Sequence, residues 1–367
     1  MGRWHRRVGR CVCVLAVLAA PPAWAGVLSV GAGQTYSTLA AAVAAAAAGD
    51  TIDIYGGTYT NQTADITKPL TLVGVDGTPV FTATGQLSND KGFLVIDAST
   101  TVENITFENA LADPASNNGA GIRYQSGNLT VLDSSFISNQ DGILATPTVG
   151  GTGAVVVRNS LFKDNGVASG PGAGFAHALY ATDLASLTVT GSTFQGTQTG
   201  HDIKSRAVDT VIIGNYLDDG VTGTTSYAID LPNGGNATII GNTIDQGPNT
   251  QNPIMVAYGE EGLTHTGNTA LIDGNSFINS LTTAVAVGVN NAIANPAATA
   301  VTVACNAFDG VPVPTAGPVT LVGNVTNAAL PACAAGVAEP PGLTLLLAPL
   351  LAVLALRRRI DAAAAAA

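Results

Sequence analysis

Three short segments gather a dense set of residues that could move a proton or meet a charge. They read HALY at 177–180, GHDIKSRA at 200–207 and YAIDLPNGG at 227–235. They contain His177 and His201, two of the four histidines, with Tyr180, Tyr227, Lys204 and Arg206. The chemistry that suits these types is β-elimination, or C5-epimerisation, at a uronic acid. Elimination needs a base for the C5 proton, a cation for the sugar carboxylate and an acid for the leaving oxygen. Lys204 is the candidate base, because a lysine crowded by a second cation, Arg206, gives up a proton more easily. Asp230 works in the opposite direction. Arg206, His177 or His201 would hold the carboxylate, and Tyr180 or Tyr227 would serve as acid. Arg123, Asp202, Asp230 and Asn233 are the expected substrate-binding residues.

Two other functions fit the same residues. A glycoside hydrolase needs two carboxylates about 5–9.5 Å apart, and Asp202 with Asp230 is the expected outward pair. A noncatalytic carbohydrate-binding or matrix protein needs only a polar, repetitive surface. In that case Lys204–Asp230 and Arg206–Asp202 are surface ion pairs, each contributing about 0–1 kcal/mol. Glu260 and Glu261, in YGEEG, read as a solvated turn.

The elements that must position these groups are legible from a repeat. A six-residue pattern recurs eight times, starting at Val102, Val131, Val157, Val189, Ile212, Ile239, Ile272 and Val303. Its fourth position reads Ile105, Ser134, Ser160, Ser192, Asn215, Asn242, Asn275 and Asn306, and its sixth is always bulky and apolar. Copies lie 23 to 33 residues apart. With 43 glycines and only 11% charged residues, that period predicts an all-β solenoid whose coils bury their apolar faces on one another. The Ser/Asn column would bond from coil to coil. A second strand precedes each copy, with Ile122, Ile143, Leu179, Ile203, Ile229 and Met255 inward. Alternation then places Arg123, Leu144, Tyr180, Lys204, Asp230 and Val256 outward. Stacked at about 4.8 Å, Tyr180, Lys204 and Asp230 become neighbours, and His177, His201 and Tyr227 fall in register. Coils should run from about 50 to 327, with loops at 165–176 and 287–299. The alanine-rich stretch 36–48 predicts a helix, with Ser37 or Thr38 as N-cap and Gly49 as its stop. It would cover the open edge of the first coil.

That helix, followed by GDTIDIYGGTY at 49–59, resembles the opening of proteins in the pectate-lyase-like superfamily. The resemblance implies a single-stranded right-handed parallel β-helix. IKS at 203–205 is similar to the lysine-bearing strand of the alginate lyase and chondroitinase B group, which places an arginine on the following coil, where this chain has Asp230. The residues themselves ask for no cofactor. The resemblance implies calcium, for which this chain offers Thr197, Thr199 and His201 where that group has acidic residues. The block from 170 to 262 also resembles secreted bacterial β-helix proteins.

The two ends read as addresses. Arg3, Arg6, Arg7 and Arg10, an apolar core and Ala23-Trp24-Ala25 make 1–25 a secretory signal. At 338–361, Ala338-Glu339-Pro340-Pro341, an apolar run and Arg357-Arg358-Arg359 resemble the Pro-Glu-Pro-type sorting tail of Gram-negative bacteria. That tail implies an exosortase-type processing partner and transient membrane anchoring; a plain short anchor is the alternative. The expected β-helix domain is 26–337, in a chain exported to the periplasm, cell surface or medium and acting as a monomer on a polysaccharide. It holds seven basic against 23 acidic residues, a net of −16, which argues against nucleic acid as a partner. In an oxidising compartment Cys305 and Cys333 could staple the last coil, or remain as two thiols. They match no zinc spacing.

Overall fold

The computed structural model describes residues 25–113 and 119–331. They form a single-stranded right-handed parallel β-helix. Two faces of each coil join one another in a 21-stranded sheet, and the third face is a separate 10-stranded sheet. Apart from those at the two ends, the strands pair in parallel with their counterparts one coil before and after, as Thr188↔Val211↔Thr238↔Leu271 illustrates on the first face.

The corner between the first two faces explains the repeat. Its third position is left-handed in every coil: Asn104, Asp133, Asn159, Gly191, Gly214, Gly241, Gly274 and Cys305, with φ from 48° to 64°. Asparagine, aspartate and glycine tolerate that conformation best. The turn carries the fourth residue inward. There Asn215 Nδ2 donates to Asn242 Oδ1, Asn242 Nδ2 to Asn275 Oδ1, and Asn275 Nδ2 to Asn306 Oδ1, each at 2.9 Å. Asn324 adds a ninth rung, accepting from Asn306 Nδ2 at 3.0 Å. The serines support the earlier coils more sparingly, each accepting a backbone N–H through Oγ.

The sixth position forms the spine of the core. Phe107, Phe136, Phe162 and Phe194 stack at 5.4, 4.7 and 4.6 Å between centroids, and Phe277 stacks on Phe308 at 4.7 Å. The third face yields space to these rings. A Cβ on Gly121 would lie 2.6 Å from Phe136 Cδ1 and 2.8 Å from the Gly142 carbonyl oxygen. Gly121→Ala is therefore expected to destabilise the fold by about 1–3 kcal/mol through overpacking. A lowered urea midpoint would register this, and an unchanged one would contradict the contact.

The terminal helix is shorter than the sequence suggests. It spans Leu39–Ala45, is capped by Thr38, and buries Leu39, Ala42 and Val43. Asp50 ends it early, because its carboxylate takes the N–H of Ala47 at 2.7 Å and that of Gly26 at 2.7 Å. The expected loop at 287–299 is also corrected. Val287–Asn291 is a strand of the third face, paired on both sides. Its Gly288 is required opposite Phe308, not by a turn. In the 165–176 segment, Asn165 is a buried rung that accepts from Asn139 Nδ2 at 3.0 Å, and Gly166 bridges Gln198. The excursion begins only after them.

Among the described residues no helix is long and apolar enough to cross a membrane. The expected signal up to residue 24, the tail at 338–361 and Cys333 lie outside the described residues. Cys305 is disulfide-bonded.

Candidate functional site

Three very short strands of the third face carry the site: Leu179–Ala181, Ile203–Ser205 and Ile229–Leu231. Leu179, Ile203 and Ile229 point into the core and are fully buried. The register pairs Tyr180 with Lys204 and Lys204 with Asp230, as strand alternation requires. One coil further on, Ile229 pairs with Val256 and Asp230 with Ala257. Met255 is thus not the inward counterpart and Val256 not the outward one; both are buried, which hides the phase.

The outward column is less open than a solvent-facing strand. The Lys204 side chain keeps 12% of its exposure and Asp230 only 2%. Lys204 Nζ lies 3.2 Å from Asp230 Oδ2, 3.5 Å from Glu261 Oε1 and 5.7 Å from the Tyr180 ring centre. Arg206 follows its strand and folds back over it. Its Nε donates to Tyr180 Oη at 2.9 Å, its Nη1 donates to Asn233 Oδ1, and Nη2 donates to Glu261 Oε1 at 2.8 Å. Nη1 also meets Glu261 Oε2 at 2.7 Å, so the carboxylate is held bidentately. Burial works against the Arg206 charge, but hydrogen bonds to Glu261 and Tyr180 more than offset it and raise the guanidinium above its ordinary range. Asn233 Nδ2 donates to the Gly262 carbonyl at 3.2 Å and so ties the Glu261 turn to the patch.

Glu261 is the residue that reading the sequence missed. It belongs to a tight turn between Gly259 and Gly262, both left-handed. The only cue was its place one coil beyond Asp230, and a turn of glycine and glutamate is ordinarily solvated. Glu260 beside it points elsewhere and accepts from Asn290 Nδ2 at 2.6 Å.

The two histidines and Tyr227 do align. Their rings stack at 4.7 and 5.0 Å, and His177 meets Tyr180 edge-on at 5.0 Å. The rings also form a ladder. Asp141 Oδ1 accepts from the His177 backbone N–H at 2.8 Å, His177 Nδ1 from that of His201 at 3.0 Å, and His201 Nδ1 from that of Tyr227 at 3.0 Å. An Nδ1 that accepts cannot carry a proton, so each neutral ring bears its hydrogen on Nε2. Burial, reinforced by nearby charges, holds His177 well below the usual histidine range and His201 at about 3. His201 Nε2 faces Asp230 Oδ2 at 3.4 Å. Burial also pushes the Tyr227 phenol up.

Asp230 meets His201 Nε2 and Lys204 Nζ with the same oxygen, Oδ2, while its buried Oδ1 has no hydrogen-bond partner. Burial pushes this carboxyl up to about 6, against the pull of Lys204. For so enclosed a group, burial outweighing its ion pair is physically sound. Asp202 is the clearest displacement from expectation. It pairs with neither Arg206 nor Asp230. Its strand starts only at Ile203, and the preceding bend turns the carboxyl inward, where Oδ1 accepts from Thr197 Oγ1 at 2.6 Å and the residue is 1% exposed. Arg123 stands in the same outward column but three coils from Lys204, with Leu144 and Tyr180 between them. It lies against buried Asp141 rather than the patch.

Several solved structures are similar to this chain in fold. Pectin methylesterase from Aspergillus niger is 14% identical over 89% of this chain and 94% of its own, with a TM-score of 0.43. The PL6-family alginate lyase AlyGC is 14% identical over 86% of this chain and 41% of its own, at 0.48. PfbA, a surface adhesin of Streptococcus pneumoniae, is 14% identical over 78% and 84%, at 0.47. No curated protein matches the sequence. A family model described as a right-handed β-helix region matches residues 80–217.

Proposed function

We propose that this chain is an exported protein that binds a uronic-acid-containing polysaccharide on its third face and modifies it by β-elimination or C5-epimerisation. The observation that carries this reading is the convergence of Lys204 and Arg206 on one half-exposed carboxylate position beside the Tyr180 phenol. Elsewhere the domain is strongly acidic, so gathering cations here selects a carboxylate-bearing ligand over a neutral one. Lys204 and Arg206 meet the sugar carboxylate, and Asn233 holds Arg206 in place. Lys204 sits between two carboxylates, Asp230 and Glu261, and its role here is charge compensation rather than proton abstraction. Proton transfer falls to Tyr180. Acting as the phenolate, its own proton released to water beforehand, its oxygen takes the C5 proton, the electron pair forms the C4=C5 bond, the C4–O bond breaks, and the resulting phenol gives that proton to the leaving oxygen, which regenerates the phenolate. Arg206 Nε meets the charge on the phenolate oxygen while the proton is away. His177, His201 and Tyr227 align the coils. Asp202 is buried beneath a corner, which removes the expected carboxylate pair for a hydrolase.

The test is to offer the full chain pectate, alginate and chondroitin and follow the ultraviolet absorbance of unsaturated ends. Lys204→Ala and Tyr180→Phe should each lower the rate by about 10²-fold; Tyr180→Phe should leave the melting temperature in place, whereas Lys204→Ala should lower it, because buried Asp230 loses its ion-pair partner. Reducing ends without absorbance would mean hydrolysis, and full activity in Tyr180→Phe would remove its role. A second reading is a noncatalytic glycan-binding surface. It is favoured by the closed network around Arg206, whose guanidinium is already engaged by Tyr180, Asn233 and Glu261. Glycan retention without turnover would select it. The remaining elements of the proposal are a single domain at 26–337, a cleaved signal at 1–25, an exosortase-processed tail at 338–361 and a monomeric state.

A further inference from the structure

We propose that Glu261 is a built-in occupant of a carboxylate-binding subsite and that a substrate carboxylate enters by displacing it. The inference rests on the reading of the patch as a uronate site for its ligand class. It adds the statement that the subsite is filled in the ligand-free protein and is competed for from within.

The geometry is that of a bound ligand. The Glu261 carboxylate lies in the plane-on-fork arrangement with Arg206, at 2.7 and 2.8 Å, and reaches Lys204 at 3.5 Å. A sugar carboxylate would be recognised by the same donors in the same manner. The Glu261 backbone is fixed independently of its side chain. Its N–H donates to the Pro232 carbonyl at 2.9 Å, and the turn closes through Gly262 N–H to the Gly259 carbonyl at 3.0 Å. Release therefore requires only side-chain rotation. The side chain is 48% exposed, against 23% for Arg206 and 12% for Lys204, so the anion is the one member of the cluster that water can readily receive. Half-exposed ion pairs contribute little to stability. Asp230, in contrast, is enclosed and stays with Lys204 when Glu261 leaves.

A site occupied by its own anion for most of the time weakens every external anion by the unoccupied fraction. If Glu261 fills it about nine-tenths of the time, its removal strengthens binding about tenfold. The experiment titrates the full chain with acetate, and separately with a galacturonate trisaccharide, by calorimetry. The variants are Glu261→Gln, Glu261→Ala and Glu260→Gln. The last removes the same charge one residue away, from a side chain bonded to Asn290, and controls for the general field. Both Glu261 variants should bind acetate about tenfold more tightly, while Glu260→Gln stays close to the unaltered chain. An equal gain in all three variants, or a loss in the Glu261 pair, overturns the proposal. A gain for acetate with no change to any uronate polymer leaves the subsite standing and rejects the enzymatic reading. Turnover of such a polymer with no gain in the Glu261 variants does the reverse.

Discussion

Asn242→Ala should lower the stability of the solenoid by about 4 kcal/mol, roughly three orders of magnitude in the folded-to-unfolded ratio. Asn242 holds four bonds in a fully enclosed corner. Its Nδ2 donates to the Ile212 carbonyl and to Asn275 Oδ1, and its Oδ1 accepts from both the backbone N–H and the Nδ2 of Asn215, all at 2.9 Å. Alanine removes all four and strands the Asn215 backbone N–H, a buried donor with no other acceptor supplied at that corner. Asn215 Nδ2 still reaches the Val189 carbonyl, and Asn275 Oδ1 still accepts the backbone N–H of residue 242. The loss is therefore smaller than four independent bonds. Asn242→Ser should cost about half as much, because a serine at this corner accepts a backbone N–H from one coil and returns its own hydrogen locally, as Ser160 does. Asn324→Ala, at the half-exposed last rung, should cost about 1 kcal/mol because water replaces the partner. Urea denaturation of the three variants gives the ordering. Equal losses at 242 and 324 would mean that the ladder carries no buried penalty.

This ladder was visible in the sequence because its residues point inward and cannot drift. The left-handed residue before each rung was not, although it recurs just as strictly. Asn104, Asp133, Gly191 and Cys305 share a backbone conformation, not a chemistry, so no column of one type marks them. The site divides in the same way. Tyr180, Lys204 and Asp230 follow from a period of two within a strand and one residue per coil across strands. Arg206 lies beyond the strand, where alternation no longer fixes direction, and its partners come from 26, 27 and 55 residues away. Asp202 lies just before its strand and turns inward for the same reason. The register error at Met255 has another origin. Four of the five residues in Ile254–Tyr258 are buried, and a strand covered on both sides shows no alternation to read.

The top of the histidine ladder should make stability fall with rising pH. Asp141 is 1% exposed, its Oδ1 serves the His177 N–H, and its Oδ2 has no hydrogen-bond partner. Burial pushes the carboxyl up to about 8 from an ordinary 3.8, even with Arg123 nearby. Burial also lowers Arg123 despite the same attraction, so desolvation outweighs the pair for both partners. The folded protein thus keeps a proton on Asp141 that the unfolded chain has released. A carboxyl raised in this way favours the folded state fully below 3.8, and that advantage is lost as pH climbs to about 8. The histidines act in the opposite direction. His201, held at about 3 against an ordinary 6.5, penalises folding as pH falls through that window. Between about pH 4 and 6.5 the two effects oppose one another, and above about pH 6.5 only the carboxyls remain, with Asp202, raised by burial, adding to Asp141. Stability should therefore decline on the alkaline side by a few kcal/mol at most, on the order of 1.4 kcal/mol per pH unit for each carboxyl. Asp141→Asn keeps the acceptor for His177 and removes the titrating proton, so it should lessen the alkaline decline, leaving the share of Asp202, and steepen the acidic arm, where Asp141 no longer offsets the histidines. Urea midpoints measured across this range for both proteins decide the matter: parallel curves would mean that Asp141 is ionised in the fold and that the ladder begins on a charge.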